Sequence, residues 1–355
     1  MRIVVGMSGG VDSAVSAALL KQPGFDVIGV FMNNWEEDSG EGVCTAESDW
    51  ADVRATCDVI GIPYYAVNFS KEYKDRVFGH FLNEYARGRT PNPDVLCNRE
   101  IKFKSFLDFA LQLGADKIAT GHFVRTDESG RLYKGIDPGK EQSYFLYMLR
   151  SDQLRRSVFP VGGMLKSQVR ELASSMNLPV NTKKDSTGIC FIGERNFRSF
   201  LKGYLPAQPG MMRSEQGAVL GEHQGLMYYT LGQRKGLGIG GRGDGRSYFV
   251  VDKDLARNEL IVAQGEEHPL LYSRFAELEE LTWVDAPPCP EGQETQLKAK
   301  FRYRQPDQPL NLVWQGDKAR LRFDIPQRAI TPGQSAVLYR GDECLGGGII
   351  TSFSR

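Results

Sequence analysis

The chain has 355 residues, of which 44 are basic and 44 acidic, so its formal net charge is zero. A field of one sign over the whole protein is therefore excluded, and any contact with nucleic acid has to come from local basic patches. Hydrophobic residues make up 41% of the sequence and charged residues 25%, as is typical of globular proteins, and the length predicts two or three domains. No apolar run is long enough to cross a membrane or to act as a secretion signal, so we expect a cytoplasmic location and no membrane partner.

The six cysteines and four histidines are spaced too irregularly for a structural metal site. No Cys-x-x-Cys occurs, which argues against zinc, an iron-sulfur cluster or a disulfide scaffold, and the histidines lie far apart. We therefore interpret each cysteine separately, as a free thiol.

The first 20 residues predict a strand, a glycine-containing turn and a helix. Gly9 and Gly10 let the backbone approach an anion closely, and the unpaired amide groups at the helix start attract negative charge. Asp12 would repel a phosphate unless a divalent cation lay between them, so Asp12 is a candidate Mg²⁺ ligand. We predict a nucleotide site formed by Gly6, Met7, Ser8, Gly9, Gly10, Val11, Asp12 and Ser13.

This turn lacks the Gly-Lys-Ser/Thr of a Walker loop and the Gly-x-Gly-x-x-Gly of a dinucleotide site. The string Ser8-Gly9-Gly10-Val11-Asp12-Ser13 instead resembles the loop of the ATP pyrophosphatase (PP-loop) family. That resemblance implies that ATP is cleaved between its α and β phosphates and that a carbonyl oxygen is adenylated. The alternative is an ordinary strand-to-helix turn in an α/β domain.

Strands and helices alternate over the first 120 residues, which predicts a parallel sheet covered on both faces. We expect strands at residues 25–32, 64–69 and 117–120, and helices at residues 48–60, 72–85 and 100–113. Ligands bind beyond the carboxyl ends of such strands, so Met32, Gly121 and His122 should face the same crevice as the glycine turn. Met32 would pack on a base, or alternatively in the core, and Gly121 would let the nucleotide come close.

Two cysteines lie in polar, turn-rich segments. The prolines of residues 87–99 predict an extended loop with Cys97 just ahead of a helix, where the positive charge downstream should lower the pKa of its thiol. Asp94 could exchange a proton with it. Cys190 follows an amphipathic helix over residues 166–176, in a glycine-containing segment flanked by lysines. The alternatives are a structural loop cysteine at position 97 and a packing role at position 190.

The second half of the chain changes character. Prolines near residue 206 mark a linker, and residues 225–238 form a basic, glycine-rich segment that suits contact with a nucleic-acid backbone or, equally, glycine turns between strands. A hairpin is expected at residues 123–133. Alternating runs at residues 295–303, 310–314, 319–323, 335–339 and 346–351 predict a small antiparallel barrel or sandwich, and Arg302-Tyr303 combines charge with a stacking ring, as single-stranded RNA recognition requires.

Four strings in order make the chain similar, nearly end to end, to the bacterial tRNA-specific 2-thiouridylases. They are the loop at residues 8–13, Asn92-Pro93-Asp94-x-x-Cys97-Asn98, Gly188-Ile189-Cys190-Phe191 and Tyr229-Thr230-Leu231-Gly232-Gln233-Arg234-Lys235-Gly236-Leu237. The resemblance implies an α/β fold with three domains: a PP-loop ATP-binding catalytic domain (residues 1–195) of the adenine nucleotide alpha hydrolase type, a central tRNA-contacting domain (196–267) and a C-terminal antiparallel β-barrel that binds tRNA (268–355).

The resemblance also implies a reaction. ATP adenylates the C2 oxygen of the wobble uridine in the anticodon stem-loop, and sulfur from a cysteine persulfide replaces that oxygen, giving 2-thiouridine, AMP and pyrophosphate. Cys190 would carry the persulfide, Cys97 would be the nucleophile that releases its sulfur, forming a disulfide with Cys190, and Asp94 would be the acid or base. A cysteine desulfurase or a sulfur relay protein would supply the sulfur.

By the same resemblance, two groups of residues contact the tRNA. Those near the target base are Asn92, Pro93 and Asp94, and those near the rest of the tRNA are His122, Lys140, Glu141, Gln142, Arg302, Tyr303 and Gln334. Two alternatives stay open at this point: another adenylating synthetase on the same fold, such as an amide-forming one, and a non-catalytic RNA-binding protein with a degenerate nucleotide fold.

Overall fold

A computed structural model describes residues 1–36, 45–185, 197–241 and 245–355. In the described residues up to 202, the elements are β1 (Arg2–Met7), α1 (Val11–Lys21), β2 (Asp26–Asn33), α2 (Thr45–Ile60), β3 (Tyr64–Asn68), α3 (Ser70–Tyr73), α4 (Gly79–Ala86), α5 (Pro93–Leu96), α6 (Phe106–Gln112), β4 (Lys117–Ala119), β5 (Val124–Thr126), β6 (Leu132–Lys134), α7 (Ser151–Arg155), β7 (Ser157–Val158), α8 (Lys166–Ser175) and α9 (Phe197–Lys202).

The remaining strands are β8 (Gly210–Ser214), β9 (Val219–His223), β10 (Tyr248–Asp254), β11 (Glu259–Gln264), β12 (Tyr272–Trp283), β13 (Thr295–Lys300), β14 (Gln308–Gln315), β15 (Lys318–Arg328), β16 (Ser335–Arg340) and β17 (Glu343–Ser354).

The N-terminal part contains the predicted parallel sheet, with strand order β3-β2-β1-β4-β7. Strand β1 is its centre, because it pairs in parallel with β2 on one side and β4 on the other, and its residues from Ile3 to Met7 are buried. The chain leaves β1 towards β2 and only later returns to the opposite side of β1. Such a reversal of strand order opens a crevice at the carboxyl ends of the strands. Helix α1 begins at this crevice, directly after β1.

The predicted loop over residues 87–99 is wrong in its second half. A helix already begins at Pro93, and a π-helical stretch (Cys97–Ser105) continues it into α6. Asn92 is the N-cap, since its Oδ1 accepts a hydrogen bond from the backbone N–H of Asp94 over 3.2 Å. Proline at the first helical position loses no hydrogen bond, so Pro93 starts this helix and does not prevent it. Cys97 therefore lies within the helix and not ahead of it.

A four-stranded sheet with the order β10-β11-β8-β9 follows in the central part of the chain. The C-terminal strands form the predicted antiparallel barrel: the order β12-β15-β14-β13-β16-β17 is closed by pairing of β12 with β17. The predicted hairpin of β5 and β6 is present, and β6 pairs with β17. The barrel sheet thus extends into the N-terminal part, a connection that the sequence pattern did not indicate.

The segment after this hairpin also ties the two parts together. The hydroxyl of Tyr144 donates to the carbonyl oxygen of Ser335 over 3.1 Å, and the hydroxyls of Ser143 and Tyr339 lie 3.0 Å apart. Tyr144 and Tyr339 are both buried, in one hydrophobic core that includes residues of the parallel sheet and of the barrel. Among the described residues, no helix has the length and apolar character needed to span a membrane.

Candidate active site

The turn between β1 and α1 has the shape that the sequence predicted. Gly9 has φ +71°, and a side chain there would meet the backbone oxygen of Asp49 at 2.8 Å, so both conformation and space require glycine. The hydroxyl of Ser13 closes the turn: it accepts from the backbone N–H of Ser8 over 3.2 Å and donates to the carbonyl oxygen of Gly10 over 3.1 Å. No side chain caps α1, so its N-terminal amides face the crevice with an exposed Ser8 beside them.

Asp12 is held by a lysine from a distant helix. The Nζ of Lys166, the first residue of α8, lies 2.5 Å from Oδ1 of Asp12 and 2.9 Å from Oδ1 of Asp185. Lys140 and Arg170 also pair with Asp185, at 2.5 and 2.7 Å. Although partial burial opposes it, the hydrogen bonds from Lys140 and Lys166 lower the pKa of Asp185 to about 2. A network of four ion pairs therefore lies beside the glycine turn.

The residues present fit a single divalent cation at Asp12. Burial raises the pKa of its carboxyl, against the opposing effect of Lys166. Lys166 contacts only Oδ1 of Asp12, and within the described residues no hydrogen bond or ion pair uses Oδ2. The described residues contain no cluster of three or more acidic, histidine or cysteine ligands. Mg²⁺ commonly takes one or two carboxylates together with phosphate oxygens and water, and this donor set suits that mode.

Gly121 lies where it was predicted, against the turn, but for a different reason. A Cβ there would lie 2.7 Å from the backbone carbon of Asp12 and 2.7 Å from the nitrogen of Ser13. Glycine is thus required because the end of β4 packs on the start of α1. Met32 is partly buried, packs against the core and would contact a side chain placed at Gly6 through its Cε, at 3.1 Å. Its position therefore agrees with the core-packing alternative.

Cys97 is more enclosed than predicted, with 2% of its surface exposed, within the hydrophobic core. The positive charge expected downstream is partly neutralised, because Glu100 pairs with Arg99 at 2.8 Å and with Lys104 at 3.0 Å. Asp94 lies one helical turn before the thiol. Burial raises the pKa of its carboxyl, with Lys102 opposing. A carboxyl of raised pKa binds a proton more readily than an ordinary aspartate, and such a group on the same helix as a thiol can take part in proton transfer.

The expected tRNA contacts before the barrel are largely engaged within the protein. His122 is buried; its Nδ1 lies 2.8 Å from the hydroxyl of Thr120, and burial lowers the pKa of the imidazole well below its ordinary value. Glu141 is also buried and pairs with Lys300 of the barrel at 2.9 Å. Gln142 accepts the backbone N–H of Phe123 over 2.9 Å. In this structure these side chains hold the protein together.

The expected contacts on the barrel have partners too. Arg302 donates from Nη2 to the carbonyl oxygen of Leu231 over 3.0 Å, while its side chain keeps an exposed part. The ring of Tyr303 packs on Phe145, with ring centroids 4.5 Å apart. Gln334 donates from Nε2 to the carbonyl oxygen of Thr90 over 2.7 Å. All three bind the barrel to other parts of the chain.

The string from Gly188 to Phe191, with Cys190, lies outside the described residues. The residues just before it are anchored. The Nζ of Lys183 lies 2.7 Å from Asp49 and 2.5 Å from Asp52 of α2. Asp185 pairs with the lysine and arginine side chains described above. Sequence reasoning missed Lys166 and Asp185 as site residues. The one available indication was their type, a charged residue at a helix start and an acid following two lysines.

Family models match the chain in three consecutive segments. A "tRNA methyl transferase HUP domain" matches residues 1–194, a "tRNA methyl transferase PRC-barrel domain" residues 198–264 and an "Aminomethyltransferase beta-barrel domain" residues 273–350. These matches, together with the fold, define a tRNA-modifying protein with an N-terminal parallel sheet and a C-terminal barrel.

Curated relatives narrow the assignment. The tRNA-specific 2-thiouridylase of Alkaliphilus oremlandii is 58% identical to this chain, over 98% of this chain and 96% of its own length. That of Bacillus pumilus is 56% identical, over 98% of this chain and 94% of its own length. That of Pseudomonas syringae is 57% identical over 98% of this chain and 94% of its own. The chain belongs to the tRNA-specific 2-thiouridylase family, and the predicted family, fold class and tRNA sulfurtransferase activity are confirmed.

Similarity to solved structures is weaker. A 4-thiouridine synthetase in complex with RNA and ATP has a TM-score of 0.36 and 18% identity, covering 57% of this chain and 49% of that one. The NMN synthetase of Francisella tularensis has a TM-score of 0.34 and 18% identity, covering 52% and 66%.

Proposed function

We propose that this enzyme adenylates the C2 oxygen of the wobble uridine of tRNA with ATP and replaces that oxygen with sulfur. The observation that carries the proposal is the uncapped N-terminus of α1 behind the Ser8–Ser13 turn, with the ammonium of Lys166 beside it. Backbone amides, a helix dipole and a buried cation at one point suit a triphosphate. In a thiouridylase, ATP is the reactant that such a site would bind.

Asp12 would hold Mg²⁺ through its free oxygen, and the cation would screen the charge of the phosphates and of the leaving pyrophosphate. The chain's own part in this step is positional. The amides of the first turn of α1 orient the phosphates, and Gly121 keeps the end of β4 close enough to complete the wall of the crevice.

Adenylation is needed because the oxygen of a uracil carbonyl is a poor leaving group. Once it is bonded to AMP, the terminal sulfur of a Cys190 persulfide attacks C2 and AMP departs, which leaves C2 joined to Cys190 through two sulfur atoms. The Cys97 thiolate then attacks the sulfur of Cys190. The sulfur on C2 leaves with the electron pair as 2-thiouridine, and a Cys97–Cys190 disulfide remains, which a two-electron thiol reductant restores.

The position of Asp94 supports its role as the proton carrier for this exchange. It lies one turn before Cys97 on the same helix, and its pKa is raised by burial. A protonated carboxyl can supply a proton to the leaving group, and the carboxylate can accept one from the Cys97 thiol.

The anchoring of Asp185 supports delivery of sulfur by Cys190. Asp185 is the last described residue before the segment that contains Cys190, and it pairs with the same Lys166 that contacts Asp12. The chain therefore leaves the described part of the protein beside the Ser8–Ser13 turn.

We propose the anticodon stem-loop as the RNA partner and a persulfide-carrying protein as the sulfur donor. Asn92 and Pro93, which start α5, would lie against the flipped-out base, whose extrusion costs a few kcal/mol. The exposed part of Arg302 and the partly exposed ring of Tyr303 remain available for the rest of the loop.

The test is mass spectrometry of tRNA nucleosides after incubation with ATP, Mg²⁺ and a persulfide donor, with pyrophosphate release measured in parallel. Wild type should form 2-thiouridine. Asp12→Ala should lose both signals, whereas Cys190→Ser should lose thiolation and keep pyrophosphate release. Cys289→Ser, which alters a thiol on the barrel, is the control and should match wild type. Loss of pyrophosphate release in Cys190→Ser, or thiolation by that variant, contradicts the proposal.

A further inference from the structure

Lys166 is an unusual lysine in this chain, because only 8% of the residue is exposed. Burial of an ammonium group is unfavourable unless it is paired, so a lysine is rarely enclosed without a specific reason. Its backbone is fixed as well: its N–H donates to Oδ2 of Asp137 over 2.8 Å at the first position of α8. Backbone and side chain together hold the ammonium at the glycine turn.

The ammonium is not saturated by these contacts. It carries three N–H donors, and among the described residues two of them are used in contacts with Oδ1 of Asp12 and Oδ1 of Asp185, while its Nζ lies 5.8 Å from the centroid of the Phe123 ring. Oδ2 of Asp12 is likewise unused among those residues. One donor and one acceptor are thus left at the mouth of the turn, and they match a phosphate oxygen and its accompanying cation.

We propose that Lys166 is a further catalytic residue, which contacts the phosphate groups of the nucleotide and stabilises the charge that grows on the departing pyrophosphate. This rests on the proposed function, since it assigns a role within that same ATP site. Asp185 is the positioning residue, because it holds the Lys166 ammonium at the glycine turn.

A purely structural role for Lys166 is the competing explanation, in which it only anchors Asp185. Arg170 separates the two, because it lies one turn further along α8 and pairs with the same Oδ1 of Asp185 at 2.7 Å, but makes no contact with Asp12. Removing the Arg170 side chain weakens the anchoring of Asp185 but removes no contact with Asp12. Arg170→Met is therefore the matched control for Lys166→Met.

The experiment measures the rate of pyrophosphate release with ATP, Mg²⁺ and tRNA but without a sulfur donor, and the binding of inorganic pyrophosphate by calorimetry. We expect Lys166→Met to slow release by about 100-fold, the effect of removing one preorganised donor from developing charge. It should also weaken pyrophosphate binding by about 10-fold or more, as loss of a charge-assisted hydrogen bond does. Arg170→Met should stay within about fivefold of wild type in both, since it loses a partly exposed ion pair.

Thermal unfolding checks that both variants are folded; if Lys166→Met is not, Lys166→Gln replaces it with the same expected results. Lys166→Arg, which keeps the charge, should recover most of the pyrophosphate affinity. Equal losses in Lys166→Met and Arg170→Met, or undiminished pyrophosphate binding in folded Lys166→Met, overturn the assignment of Lys166. A wild type that releases no pyrophosphate in the presence of tRNA instead overturns the proposed function itself.

Discussion

The side-chain amide of Gln334 donates a hydrogen bond to the carbonyl oxygen of Thr90 over 2.7 Å, although 244 positions separate them in the chain. The backbone N–H of Thr90 in turn donates to the carbonyl oxygen of Pro332 over 3.0 Å. The barrel thus holds both backbone polar groups of Thr90, its N–H and its carbonyl oxygen. Thr90 lies two residues before Asn92, which caps the helix of Asp94 and Cys97. The barrel therefore holds the backbone just ahead of the helix that carries Asp94 and Cys97.

Replacement of Gln334 by Ala tests this relationship. The carbonyl oxygen of Thr90 loses the donor that holds it, so the helix start should shift. Small misplacement of reacting groups can cost up to about 100-fold in rate. We expect single-turnover thiolation to fall by about 10-fold or more, with tRNA affinity nearly unchanged. Gln315→Ala, at an exposed glutamine of β14, is the control. A loss confined to tRNA affinity would show that Gln334 acts by contacting RNA.

Gly121→Ala should disturb the turn between β1 and α1 directly. The added Cβ would lie 2.7 Å from backbone atoms of Asp12 and Ser13. Backbone atoms cannot move aside as the end of a flexible side chain can. We expect a loss of about 1–3 kcal/mol in the free energy of unfolding, from urea titration, and loss of ATP-dependent pyrophosphate release. Gly163→Ala adds the same methyl group where nothing lies within 4 Å, and should behave as wild type. Full activity in Gly121→Ala would refute the close approach of β4.

Asp94→Asn should stabilise the protein while slowing its reaction. Because burial raises the pKa of this carboxyl in the folded state, the folded state binds its proton more tightly than the unfolded state does. Stability from this group is therefore complete below the unfolded pKa of 3.8 and is lost as pH rises through the folded pKa.

Ionisation of Asp94 is thus less favourable in the folded state than in the unfolded state, and Asn, which does not ionise, should raise the free energy of unfolding at pH 7 by roughly 0.5–2 kcal/mol. The difference from wild type should disappear near pH 4, as urea titrations across this range would measure. Thiolation at pH 7 should fall by about 10²-fold or more, the usual effect of losing a proton-transfer group. If the stability of Asp94→Asn relative to wild type is lower at pH 7 than at pH 4, the prediction is contradicted.

The Glu141–Lys300 pair should contribute to stability and not to tRNA affinity. Both side chains are nearly buried, at 5% and 12% exposure, and join the N-terminal part to β13. Glu141→Gln leaves the ammonium without its partner and should cost about 3–5 kcal/mol.

The double variant Glu141→Gln with Lys300→Met should recover much of that loss, because no buried charge remains unpaired. Urea titration of the two single variants and the double variant measures the coupling, and filter binding measures tRNA affinity of the folded fraction. A weakened affinity with undiminished stability would restore Glu141 as a tRNA contact.

Local patterns in the sequence determined much of this protein. The apolar run of β1, the two glycines and the helix after them predict the phosphate cradle, because hydrophobic periodicity and glycine conformation act over neighbouring residues. The alternation of strands with helices predicts the parallel sheet, and short runs of alternating apolar and polar residues predict the barrel. The four motif strings predicted the family. Asn92-Pro93 predicts a loop but caps and starts a helix in the structure, since the same two residues serve in either setting.

Only the tertiary structure decided which side chains meet. Lys166 reaches Asp12 across 154 residues and Gln334 reaches Thr90 across 244, and no periodicity links such positions. The burial of Cys97, His122 and Glu141 depends on what packs over them from other parts of the chain. Burial and charge pairing arise from folding of the whole chain, so the elements of the site could be predicted from sequence, whereas its electrostatics could not.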